Sequence, residues 1–94
     1  LEAAHIKWHN AGGPDSIDNG LSLCPMHHKL FDYDVFMIEP DSFRIRISPK
    51  AHAFGAAVNY LGDFEGTVIS LPIKEAEYPS TEYLRWHLSE KYKI

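Results

Sequence analysis

The stretch "LCPMHHKLFD", residues 23–32, places the only cysteine of the chain, two adjacent histidines and an aspartate within ten positions. Thiolate, imidazole and carboxylate groups at this density point to metal binding. A single cysteine cannot close a four-ligand site, so further donors must come from elsewhere. Neighbouring helix positions are rotated by about 100°, so His27 and His28 cannot readily converge on one small ion. They are read as serving two different sites. Cys24 and His27 have the spacing of half a zinc site, with a soft thiolate suited to that metal. His28 and Asp32 stand one helical turn apart and offer a nitrogen and a carboxylate, a set suited to Mg2+, Mn2+ or another transition metal.

Upstream, His5 and Asn19 precede His28, with 13 residues between the first two and eight between the second two. The elements that must position these three are short. "LEAAHIKW" reads as a strand, and "HNAGGPDSIDNG" as a loop, from its Gly-Gly-Pro-Asp and Asn-Gly turn signals. "LSL" resumes as a strand. From Pro25, Met26, Leu30 and Tyr33 recur at helical spacing, with Pro25 suited to the first turn. A strand, loop, strand, helix unit of this kind lets the strand histidine face the helix across a shallow cleft able to take a phosphate.

Beyond it, "VFMIE" and "FRIRIS" flank Pro40-Asp41-Ser42 as an antiparallel hairpin, with Phe43, Ile45 and Ile47 alternating against a solvated Arg44 and Arg46. "HAFGAAVNYLG" is expected to form a middle helix stopped at Gly62, and "TVISLPI" a strand. "STEYLRWHLSEKYKI" is expected to be a helix capped by Ser80 or Thr81. In that helix His87 is read as a packed residue, not a ligand.

Ninety-four residues with 45% apolar content fit one domain, small enough that a structural metal would help it. The lone cysteine excludes an internal disulfide, and no apolar run approaches the roughly 20 residues that span a bilayer. A cytoplasmic protein without membrane contact is the expectation. The net charge of -4 argues against gripping nucleic acid by bulk electrostatics. Any such contact must be local, metal-assisted or supplied by a neighbouring domain.

The ordered set "AAHI...NGLSLCPMHHKLFD" resembles the HNH motif of the ββα-metal nucleases. "LEAAHIKWHNAGGPD", "NGLSLC", "HHKLFD" and "YLRWH" closely resemble the restriction endonucleases that cut phosphorothioate-modified DNA. The resemblance implies an α+β fold, with a ββα-metal core motif over 1–34 and an extension over 35–94 that carries the hairpin and the C-terminal helix. It implies a C-terminal cleavage module of a larger protein, with Leu1 a cut and an upstream domain that recognises DNA. By the same resemblance, His5 is the general base, since an imidazole with a pKa near 6.5 can accept a proton from water at neutral pH. His28 becomes a ligand of one divalent cation, joined by Asp32, and Asn19 fixes the loop that aims His5.

Lys7, His9 and Lys29 are candidates for phosphate contact, with plain solvation as the competing reading. Related enzymes carry an upstream Cys-x-x-Cys that would join Cys24 and His27 around a structural Zn2+. Two departures stand out. Ala4 occupies a position that often holds a metal ligand, and Tyr33-Asp34 replaces Arg-Gly. DNA is the expected partner, and double-strand cutting by a one-site domain would need two copies, which leaves room for a homodimer. The alternative is a non-catalytic, zinc-stabilised module that binds DNA or protein on the same scaffold.

Overall fold

The computed structural model describes residues 1–49 and 61–91. Strand β1 (Glu2–His5) pairs antiparallel with β2 (Gly20–Leu23) in a register that sets Ala4 opposite Leu21 and His5 opposite Gly20. Ala4, Ile6 and Leu21 are buried while Ala3 and His5 are exposed, the alternation of a strand with one face on the core. Helix α1 (Pro25–Asp32) follows at once, with Pro25 in its first turn and the His28 amide bonded to the Cys24 carbonyl at 2.9 Å. The unit therefore runs strand, loop, strand, helix. The loop between the strands holds two 3-10 turns, His9–Ala11 and Ile17–Asn19.

The helix is where the sequence placed it, but its buried face is not. Met26 and Tyr33 are exposed, and Phe31 is the fully buried residue of α1. Phe31 lies 5.4 Å from the ring of Phe36 and stacks on His87 at 4.4 Å. Phe31 is enclosed on both faces by these rings, with Leu30 packed beside it, and that enclosure sets the orientation of the helix. His27, one turn before Phe31, is turned partly inward with it.

α1 ends in a Schellman arrangement: the Val35 amide reaches the Leu30 carbonyl at 2.9 Å and the Asp34 amide reaches Phe31 at 3.2 Å. Asp34 occupies the left-handed position of that cap, with φ 64°. Glycine takes this conformation without penalty, whereas a residue with a Cβ does not. The Tyr33-Asp34 departure is thus a helix terminus built with aspartate. Asp34→Gly is expected to raise unfolding stability by about 0.5–1 kcal/mol, read from the denaturation midpoint. A lower midpoint would show that the Asp34 side chain outweighs its backbone strain.

The second hairpin pairs β3 (Phe36–Ile38) with β4 (Ile45–Ile47), Phe36 opposite Ile47 and Ile38 opposite Ile45. Arg44 and Arg46 are exposed, each with a local partner: Gly66 O at 2.6 Å for Arg44 and Glu39 at 3.2 Å for Arg46. "TVISLPI" does not form a strand. It meets the sheet edge through a single bridge, Arg44 to Val68, with main-chain bonds from Ile45 to Thr67 and from Ile69 to Phe43. Pairing ends because the short β4 offers no further ladder and Pro72 has no amide to donate. The expected middle helix falls on residues outside those described, apart from Leu61, which is buried, and Gly62, which opens the 3-10 turn Gly62–Phe64.

A further 3-10 turn, Glu75–Glu77, leads to helix α2 (Thr81–Lys91), whose Leu84 amide bonds the Ser80 carbonyl at 3.0 Å. Leu84 and His87 are fully buried, so His87 is a packed histidine. The core joins both hairpins and both helices through Ala4, Ile6, Phe31, Phe36, Ile38 and Leu84. Besides the Phe31–His87 stack, the C-terminal part is tied to the first unit by the Ser80 amide on the Asp18 carbonyl at 2.8 Å and by Trp86 edge-on to Trp8 at 5.3 Å. Among the described residues no helix is long and apolar enough to cross a membrane.

Candidate functional site

The loop from Lys7 to Asn19 closes on itself through one side chain. Asn19 is buried, accepts from the Lys7 amide at 2.8 Å and donates to the carbonyls of Lys7 at 3.0 Å and Pro14 at 2.8 Å. Its own carbonyl accepts from Ile6 at 3.0 Å, just beyond β1. A carboxamide combines an NH2 group that donates twice with a separate oxygen that accepts, the capacities these three contacts use. Gly13 completes the closure, because a Cβ at that position would lie 1.9 Å from the Lys7 carbonyl oxygen. The loop is thereby pinned where it passes the end of β1.

His5 is the last residue of β1, and its ring is partly exposed. Nε2 lies 2.6 Å from Oδ1 of Asp15, the residue that follows Pro14. The hydrogen bond and charge of His5 hold the Asp15 carboxyl below the ordinary carboxylate range, with His9 adding a smaller pull in the same direction. An open depression of about 620 Å3 runs along this edge, lined by Glu2, His5, Asp15, Ser16, Asn19 and Ser22 among others. A larger cavity of about 780 Å3 adjoins it across Leu1, Ile17, Gly20, Leu21 and Ser22 and extends among Phe36, Ile38, Ile45 and Phe64. The smaller depression is the candidate because His5, Asp15 and Asn19 line it; Glu2 joins them there, whereas its partner His28 and Asp32 do not.

On α1, His28 stands between two carboxylates. Its Nδ1 is 2.8 Å from Glu2 Oε1 on β1, and its Nε2 is 3.3 Å from Asp32 Oδ2. Glu2 shares the Ala4 side of β1 by strand alternation, which carries it to the helix. When Nδ1–H donates to Glu2, the Nε2 lone pair of a neutral ring faces the Asp32 carboxylate. A protonated ring makes this contact an ordinary ion pair, and a neutral one leaves Nε2 and the carboxylate as two donors able to share a metal ion. The separation is also close to the roughly 3 Å edge expected of two adjacent ligands about 2.1 Å from one Mg2+. The donor set therefore fits a divalent cation with its remaining positions open. Among the described residues no three His, Cys, Asp or Glu side chains form a complete metal-binding group.

Cys24 and His27 are adjacent, Sγ to Nδ1 at 3.4 Å, and His27 is T-shaped against Phe64 at 6.1 Å. His27 and His28 thus face different neighbours. Lys7 is half-buried, with its amine 6.0 Å from the centre of the Trp86 ring, while His9 and Lys29 are exposed. Glu2 and Asp15, the carboxylates against His28 and His5, are candidates that the sequence did not single out. For Glu2 the signal was its place two positions before Ala4, on the same strand face. Asp15 was legible only as a turn residue.

No curated protein and no solved structure matches the chain. Residues 1–39 match the HNH_2 family, described as HNH endonuclease, a segment that contains every site residue named above. The likeness supports an HNH domain in this part of the chain and, in general terms, nuclease activity.

Proposed function

We propose that the chain is a divalent-metal-dependent DNA endonuclease domain that hydrolyses phosphodiester bonds to leave a 5′-phosphate and a 3′-hydroxyl. The observation that carries this reading is the His28–Asp32 pair, an imidazole nitrogen and a carboxylate oxygen 3.3 Å apart with the other ring nitrogen engaged by Glu2. A cation held by those two residues would bind the scissile phosphate and offset charge on the leaving oxygen. His5 accepts a proton from the attacking water, and Asn19 keeps the loop against the end of β1. Glu2 fixes the His28 ring so that Nε2 is the liganding atom, as carboxylates behind metal-binding histidines commonly do. Lys7, His9 and Lys29 are proposed to meet backbone phosphates.

The finer assignment, a cleavage module of a restriction enzyme directed to phosphorothioate DNA, rests on the sequence resemblance. In that reading a domain outside these residues chooses the target, and a homodimer would deliver double-strand cuts. A structural Zn2+ would use Cys24 and His27 with ligands from elsewhere. Their 3.4 Å contact is also what favours the alternative of a non-catalytic, zinc-stabilised binding module.

End-labelled duplexes with and without a phosphorothioate test these points together. Metal-dependent cleavage at similar rates on both, with 5′-phosphate ends and none under EDTA, is the expected result. Binding without cleavage in Mg2+ or Mn2+ would favour the binding module. A clear preference for the sulfur-modified duplex would move recognition into this domain.

A further inference from the structure

We infer that Asp15 is a positioning residue for His5: it holds the Nε2 proton and leaves Nδ1 as the atom that takes a proton from the attacking water. The inference rests on the reading of His5 as the base. An ionised carboxylate can only accept a hydrogen bond, so at 2.6 Å Nε2 must carry the proton. The lone pair of the neutral ring then lies on Nδ1. The Asp15 carboxyl is held below its ordinary range, so it stays ionised wherever an imidazole titrates.

The loop geometry gives the contact its purpose. Asn19 donates to the carbonyl of Pro14 at 2.8 Å, which fixes the residue next to Asp15. Gly13, the neighbour beyond, is packed against the Lys7 backbone. A chain of contacts therefore runs from the buried Asn19 through Pro14 and Asp15 to the ring of His5. Asp15 itself is exposed, and an exposed ion pair contributes little to stability. It also places a negative charge beside a site meant to receive a phosphodiester, which by itself would repel DNA. Orientation of the imidazole is the benefit that offsets this cost.

In the resulting step, one proton of the water passes to Nδ1, the water oxygen bonds to phosphorus, and the bond from phosphorus to the 3′-oxygen breaks. The 3′-oxygen takes a proton from solvent, and Nδ1 returns the one it accepted to solvent, which restores the neutral ring. Charge and atoms balance without any further reactant.

The repulsion and the orientation have opposite signs, so the Asp15→Ala chain separates them. Loss of orientation is expected to lower kcat about ten- to a hundredfold, with KM for the duplex unchanged or lower and thermal stability unchanged. Asp15→Asn, whose amide oxygen still accepts from Nε2–H, should recover part of kcat. Side-chain 15N NMR of the metal-free chain gives a readout independent of turnover: wild-type His5 should show the Nε2–H tautomer, and Asp15→Ala a mixture. An unchanged or raised kcat in Asp15→Ala, or an Nδ1–H tautomer in the wild type, would overturn the inference. If His5→Ala cleaved normally, the base assignment would fail while the tautomer coupling could still be observed. If His5→Ala were inactive and the tautomer did not respond to Asp15, this inference alone would fail.

Discussion

His5→Ala is expected to lower the single-turnover cleavage rate by about two to four orders of magnitude, with fold and divalent-cation binding as in the wild type. The separation follows from where the groups sit. His5 ends β1 with a partly exposed ring held by Asp15, and it belongs to no part of the buried core. The proposed cation donors, His28 and Asp32, lie on α1 and take their remaining contact from Glu2. Truncating His5 removes the proton acceptor and leaves the donor pair untouched. Cleavage at the wild-type rate with equal metal content would dismiss His5 as the base.

Asn19→Ala carries the largest expected structural effect. Its side chain satisfies the amide and carbonyl of Lys7 and the carbonyl of Pro14, all from a buried position. Each buried group left without a partner costs about 1–3 kcal/mol, partly recovered where water enters, so a loss of about 2–4 kcal/mol is expected. That is a large fraction of the roughly 5–14 kcal/mol available to a domain of this length. Cleavage should fall more than tenfold at temperatures where the variant is still folded, because Pro14 and Asp15 are no longer fixed beside His5. Asn19→Asp should be no milder, since it sets a carboxylate against two carbonyl oxygens. Chemical denaturation alongside a rate below the transition checks both parts. A variant of wild-type stability would show that the loop is held by other contacts.

The order of elements was legible because its signals are local. Pro25 begins α1, alternation marks the hairpin from Phe36 to Ile47, and Pro79 with Ser80 announces α2. What was not legible depends on packing at a distance. The buried face of α1 is set by Phe31 lying between Phe36 and His87, and His87 stands on a helix far along the chain. The extended segment near Val68 reads as a strand by composition but finds only one bridge on a three-residue partner.

The same distinction applies to the site. Cys24, His27, His28 and Asp32 are close in sequence, and their grouping could be argued from helical rotation alone. Glu2 reaches His28 only because β1 crosses beside α1, and Asp15 reaches His5 only because Asn19 folds the loop back. Ala4 is buried in the core, and the carboxylate that meets the helix stands two residues away on the same strand face, at Glu2.

Nicking of supercoiled plasmid by the wild-type chain, run beside His5→Ala and His28→Ala in Mn2+ and in EDTA, tests the central claim most directly. Nicked circles are expected only with wild type and metal, with His5→Ala still binding Mn2+ and His28→Ala losing it. A wild-type chain that binds Mn2+ and DNA but leaves the plasmid intact, or nicking that persists in EDTA or in His5→Ala, would contradict it.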